Sequence, residues 1–247
     1  MLLDLSDCFQ REAYYLGEFY EWEVQALLRR FLNAGDTFID VGANIGMLTL
    51  SAAAAVGEDG TVLSFEPNPE AWTHLQMHVN MNALKQVQTF QKGLSYERAT
   101  FTLSVSGDRS SVGTLVPAHA HVAKSFEIKT ALLDDYVQLV PAGRRTLLKI
   151  DAEGYDFRVI RGSCSLLARQ SIIVVAEVYD RILKELGESW KEMYGFMKQL
   201  GYEAFMLQPK RPRLGWRFNL TPVSASNPPK EGSNVLFSRG AELDSLQ

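Results

Sequence analysis

The sequence predicts an α/β fold on an open, mostly parallel, Rossmann-like sheet flanked by helices, and three stretches carry that prediction. Thr37-Phe38-Ile39 is a short apolar run that turns through Asp40, Gly42, Asn44 and Gly46 into Met47–Val56, rich in Ala and Leu as a buried helix would be. A strand turning through glycines into a helix is the nucleotide cradle of an open parallel sheet. Thr61–Phe65 reads as the second strand and ends in Glu66-Pro67-Asn68-Pro69. An acid at that place hydrogen-bonds ribose hydroxyls in nucleotide-binding α/β folds. Leu147–Ile150 and Ile172–Ala176 are further apolar strands, the first ending in Asp151-Ala152-Glu153-Gly154 and the second in Glu177.

The first turn is not built for phosphate. It matches neither G-x-G-x-x-G nor G-x-x-x-x-G-K-[ST], and it has no lysine. Asp40 stands where a dinucleotide's phosphates would sit, and a carboxylate there repels phosphate and attracts a cation. A ligand with an adenosine half and a positively charged half fits.

The remaining elements follow in order. The chain has 247 residues, 46% of them hydrophobic, enough core for one domain. Its net charge of −4 argues against a nucleic-acid binder. Cys8 and Cys164 form neither a disulfide framework nor a metal-ligand spacing, which suits a reducing cytosol. Met1–Tyr15 lacks the basic start and apolar run of a signal peptide, and no apolar stretch approaches the length of a membrane span. Glu18–Leu32 places Val24, Leu27, Leu28 and Phe31 at helical spacing. Asn68 caps the next helix, Glu70–Asn82, with Pro69 at its first position. His74 and His78 share a face of that helix, but nothing supplies a third metal ligand, and a partly exposed surface is the reading preferred.

Gln86–Gln91 alternates as a third strand. Ala99–Ser104 and Phe126–Thr130 alternate as an inserted hairpin over 99–130, joined by a Ser-, Gly- and His-containing loop at 107–124. His119 and His121 in that loop are candidates for a general base, although a surface histidine is the commoner outcome. Trp190–Leu200 is a helix and Tyr202–Leu207 a strand. Gln208–Ser233 breaks the pattern with prolines and with Lys210, Arg211, Arg213 and Arg217, and reads as a long loop or lid. Asn234–Ser238 closes the sheet. The expected organisation is therefore a single domain, 1–247, with a helical segment at 1–35, a core at 36–207, and seven strands.

Asp40-Val-Gly-Ala-Asn-Ile-Gly46 with Phe65-Glu66-Pro67-Asn68 resembles motifs I and II of class I S-adenosylmethionine-dependent methyltransferases. With Lys149-Ile-Asp-Ala-Glu-Gly154, the wording is similar to the FkbM family in particular, from about Tyr20 to Val178 and again at Asn234–Phe237. The resemblance implies the class I methyltransferase fold, S-adenosylmethionine as methyl donor, S-adenosylhomocysteine as product, and no metal. It assigns Asp40, Gly42, Ala43, Asn44, Gly46, Glu66, Pro67, Asn68 and Asp151 to the cofactor. Gly93 and Leu94, in the loop that follows the third strand in this fold, are implied as an apolar wall for the adenine. By the same resemblance Asp151 lies toward methyl group and acceptor, the first candidate for an acceptor-binding or base role, with Glu153 second. Glu177, Ser110, Ser111 and Tyr20 are implied at the acceptor side.

Asp151, Glu153, Asp40 and Glu66 would then crowd one crevice, which calls for a cationic or hydroxyl-rich ligand. The activity expected is transfer of a methyl group to a hydroxyl of a sugar, glycolipid or secondary metabolite. The alternatives are a non-catalytic adenosyl-binding scaffold and, more remotely, a nicotinamide-dependent oxidoreductase. A homo-oligomer is left open.

Overall fold

A computed structural model describes residues 1–16, 21–106, 109–114, 122–169, 171–210 and 217–240. The parallel part of the sheet comes from five strands, all but the one at its edge apolar on both faces. They are β1 (Thr37–Val41), β2 (Thr61–Phe65), β3 (Val87–Phe90), β8 (Thr146–Ile150) and β9 (Ile172–Val178). Such near-continuous hydrophobic runs are what a sheet covered on both sides requires. Residues alternate between the two faces. Phe38, Val62 and Leu147 point toward one core with α2 (Trp22–Phe31) and α3 (Met47–Val56). Ile39, Leu63 and Leu148 point into the other, with α5 (Asp156–Arg161), α6 (Cys164–Leu167) and α8 (Trp190–Gln199).

Antiparallel strands β12 (Ser233–Ser238), β10 (Glu203–Lys210) and β11 (Arg217–Pro222) complete the order β11-β10-β12-β9-β8-β1-β2-β3. The sheet thus has eight strands, not seven. The expected loop at 208–233 is corrected by β10, which runs on to Lys210, and by β11. Phe218 and Leu220 of β11 alternate onto the core, a pattern the surrounding prolines obscured. Those prolines fit because Pro222 sits on the edge strand and Pro209 lies beyond the part of β10 that pairs with β12.

The insertion also differs. β5 (Thr100–Ser106) and β7 (Val122–Ala131) pair antiparallel as the alternation predicts, but β6 (Arg109–Thr114) adds a strand from within the expected loop. β4 (Gly93–Leu94) pairs parallel with Thr130–Ala131. The result is a second, four-stranded sheet. Two helices complete the frame near the site, α4 (Pro69–Met81) and α7 (Asp180–Glu185), and α1 (Cys8–Leu16) precedes α2. Asn68 caps α4 by accepting the Glu70 amide at 3.0 Å, with Pro69 in the first turn. No described helix is long and apolar enough to cross a membrane.

Candidate active site

The site begins with a polar row across three parallel strands. Asp40 of β1 lies in register with Ser64 of β2 on one side and Lys149 of β8 on the other, and all three are buried. Two-residue periodicity puts them on the face of Phe38 and Leu147, under α3. Thr49 of α3 donates to Asp40 Oδ2 at 2.6 Å and lies 2.8 Å from the Ser64 hydroxyl. Asp40 Oδ1 has no hydrogen-bond partner. Burial pushes the Asp40 carboxyl up, against the pull of Lys149 and Thr49.

The turn after β1 brings backbone unusually close. Gly42 has φ +77°, and a Cβ there would lie 1.9 Å from the carbonyl oxygen of Asp151. Only glycine allows the loops after β1 and β8 to touch in this way. The Gly42 and Ala43 amides both donate to the Phe65 carbonyl at 3.0 Å, and Asn44 Oδ1 accepts the Ile45 amide at 2.7 Å. Gly46, also left-handed, starts α3 against Leu75.

Glu66 accepts the Asn44 and Asn68 amides, both at 2.8 Å, and so ties the two ligand loops together. Burial raises it to about 7, with those two amides pulling it back. Each of its oxygens keeps a second lone pair for a ribose hydroxyl. Gly93 is buried with Pro67 nearby, and Leu94 packs into the main core with Phe65 and Ala131.

Beyond this turn a cleft is lined by Asp40, Gly42, Ala43, Asn44, Lys149 and Glu21, the residue before α2. Lys149 Nζ is 3.1 Å from Asp151 Oδ2 and 3.6 Å from Glu21 Oε1. Within that crowd of carboxylates the fold also supplies a cation of its own. A lysine in the apolar run Leu147–Ile150 was the available signal, since lysine is almost never fully buried unless paired. Burial raises Glu21 to about 8, Glu153 to about 9 and Glu177 to about 7, with neighbouring Asp151 adding to each shift. Lys149 opposes all three.

Sequence reasoning also missed Asp156 and Tyr179. Asp156, buried, accepts the Gly154 amide at 3.1 Å and the Ala152 amide at 3.4 Å, shaping the loop in which Glu153 takes φ +51°. The Tyr179 hydroxyl hydrogen-bonds Glu177.

Tyr20, His119 and His121 lie outside the described residues, and Ser110 and Ser111 fall on β6 with only their backbone described. His78 is not on a partly exposed surface as expected. It is fully buried, with Nδ1 at 2.8 Å from the Ile45 carbonyl and Nε2 accepting the Leu2 amide at 3.0 Å. Among the described residues no group of His, Cys, Asp and Glu is arranged to hold a metal.

The family model for the methyltransferase FkbM domain matches residues 40–204. The chain belongs to the FkbM methyltransferase family. Its FkbM domain spans the turn after β1, the Glu66 loop and the Asp151 loop, whereas Glu21, which also lines the cleft, precedes it. Among curated proteins, it is 30% identical over 146 residues to Methyltransferase 1 of Beauveria bassiana, covering 51% of this chain and 58% of that one. It is 28% identical over 159 residues to the hexuronic acid methyltransferase AglP of Haloferax volcanii, covering 63% and 61%. The chain therefore matches less than two thirds of the length of either relative. A crystal structure of methyltransferase FkbM from Methylobacillus flagellatus superposes with a TM-score of 0.50 at 13% identity, over 82% of this chain and 43% of that one. That likeness concerns the fold alone.

Proposed function

We propose that this FkbM domain transfers a methyl group from S-adenosylmethionine to a hydroxyl oxygen of a small-molecule or glycan acceptor. The observation that carries the reading is Asp40, a residue lining a cleft beside a glycine turn, whose Oδ1 is buried without a partner. An orphaned carboxylate oxygen is the complement of a ligand that brings positive charge. Asp40 and the Gly42–Gly46 turn would hold the cofactor's methionine half, and Glu66 would accept its ribose hydroxyls.

When bound, the cofactor supplies an electrophilic methyl on a sulfonium. The protein's task is to hold acceptor oxygen, carbon and sulfur in line and to exclude water, worth about 7–11 kcal/mol when the geometry is right. An alcohol is a weak nucleophile until its proton leaves. A carboxylate at the acceptor end, Asp151 first and Glu153 second, would take that proton as the new C–O bond forms, a contribution of about 10²–10⁴-fold. The name of AglP supports a sugar, and the two free cysteines support a cytoplasmic setting.

The test is calorimetric titration with S-adenosylmethionine, S-adenosylhomocysteine and NAD. Micromolar binding of both adenosyl ligands and none of NAD is expected, followed by a methyl mass gain on a hydroxylated metabolite. Binding of NAD would move the protein to the oxidoreductases. Adenosyl binding without transfer to any acceptor would leave the scaffold reading.

A further inference from the structure

We propose that Lys149 is a positioning residue, a latch that ties the start of α2 to the loop after β8 and so holds one wall of the cleft in place. Lys149 is nearly inaccessible, yet it reaches partners on two separate segments, Asp151 Oδ2 at 3.1 Å and Glu21 Oε1 at 3.6 Å. Glu21 and Asp151 belong to parts of the chain that the sheet alone does not connect. Glu21 lies N-terminal to the first strand, whereas the Asp151 amide donates to Val41 and is anchored to it.

A second, independent observation comes from the backbone of Glu21. It is a non-glycine residue with φ +59°, in the left-handed region, at the N-terminal boundary of α2. A carboxylate there would ordinarily cap the helix, but the Glu21 side chain makes no capping hydrogen bond. A strained residue persists only where its surroundings hold it. Among the described residues, the contact to the Glu21 carboxyl is Lys149 Nζ at 3.6 Å, and Glu21 lines the cleft beside Asp40 and Gly42. With the latch closed, Glu21 at the start of α2 forms one wall of the cleft. With it broken, Glu21 has no reason to keep its conformation.

The proposal rests on the cofactor reading for its second readout only. Hydrogen–deuterium exchange tests the latch without any ligand, at the Gln25 amide, which donates to the Glu21 carbonyl at 3.1 Å, against the amides of β1. In Lys149→Met, and equally in Glu21→Ala, exchange at Gln25 should speed up at least ~10-fold while β1 is unchanged. The double variant should go no further than either single one, since both break the same pair. Lys149→Arg should restore slow exchange. S-adenosylhomocysteine should leave the two single variants at least ~10-fold faster than wild type, as expected when a bound ligand loses one wall. Unchanged exchange at Gln25 would overturn the latch. Faster exchange throughout the sheet would reduce Lys149 to a support of the fold, and local opening with unaltered ligand release would show that α2 does not wall the site. If wild type binds neither adenosyl ligand, the cofactor reading fails and exchange alone decides the latch.

Discussion

Asp40 and Lys149 are register neighbours on β1 and β8, both buried with their side chains on one face of the sheet. The pairing leaves Asp40 with one oxygen bonded to Thr49 and the other free of partners.

Asp40→Asn should therefore separate binding from stability. Loss of the charge should weaken S-adenosylmethionine by about 1.5–3 kcal/mol, the worth of a hydrogen bond to a charged group. The melting temperature should hold or rise, because a buried carboxylate with an unpartnered oxygen is removed. Calorimetry and thermal unfolding of the same variant check both halves. Wild-type affinity would take Asp40 out of the cofactor contacts.

Gly42→Ala should damage both. A left-handed backbone costs an alanine about 1–2 kcal/mol. The Asp151 carbonyl at 1.9 Å from the new Cβ must also move, parting the loops after β1 and β8. Gly187→Ala is the control, with φ +76° but nothing within 4 Å of the added carbon, so it should lose only the backbone share. Denaturant unfolding of the pair separates strain from clash.

Glu66→Gln keeps one acceptor oxygen and gives up the other, so either the Asn44 or the Asn68 amide is orphaned. The expected loss is about 1–3 kcal/mol. Hydrogen exchange should report it as faster exchange at whichever amide the glutamine abandons. If both stay protected, the two loops are held by something other than this carboxylate.

Stability without ligand should fall as pH rises above the ordinary carboxylate range. Glu66 and Glu177 are raised to about 7, Glu21 to about 8 and Glu153 to about 9, all from 4.5. Between the unfolded and folded values the native state binds more protons than the unfolded one, so ΔG of unfolding decreases with pH across that window. Asp4 and Asp180, whose values are lowered from 3.8, act only below it. Melting temperatures from pH 5 to pH 9 should decline, and S-adenosylmethionine, a cation, should flatten the decline. A melting temperature that climbs over this range would mean that the carboxylates are already ionised and paired.

The sequence reveals the cofactor side of the site far better than the acceptor side, for a physical reason. Asp40, Gly42, Gly46 and Glu66 sit in short segments whose local chemistry announces a strand, a turn and a helix start. The acids that face the acceptor come from the ends of different strands, and their environment is set by register between distant segments. Lys149 shows the difference. Its place in an apolar run is a local signal that it must be paired, but its neighbours Asp40 and Glu21 are far away in sequence, so the cluster it serves is not legible there. Strand β11 was hidden for another reason: its alternation of Phe218 and Leu220 is short and stands among prolines, which usually signal a loop.

The adjacency of β1 and β8 also has a kinetic side. Asp40 and Lys149 meet across about a hundred intervening residues, which carry β2, β3 and the second sheet. Pairings between remote segments form late, because chain closure must be paid before the contacts reward it. The cleft is accordingly among the last features to assemble as the chain folds, and a nascent chain that stops before β8 has its glycine turn but no wall opposite it.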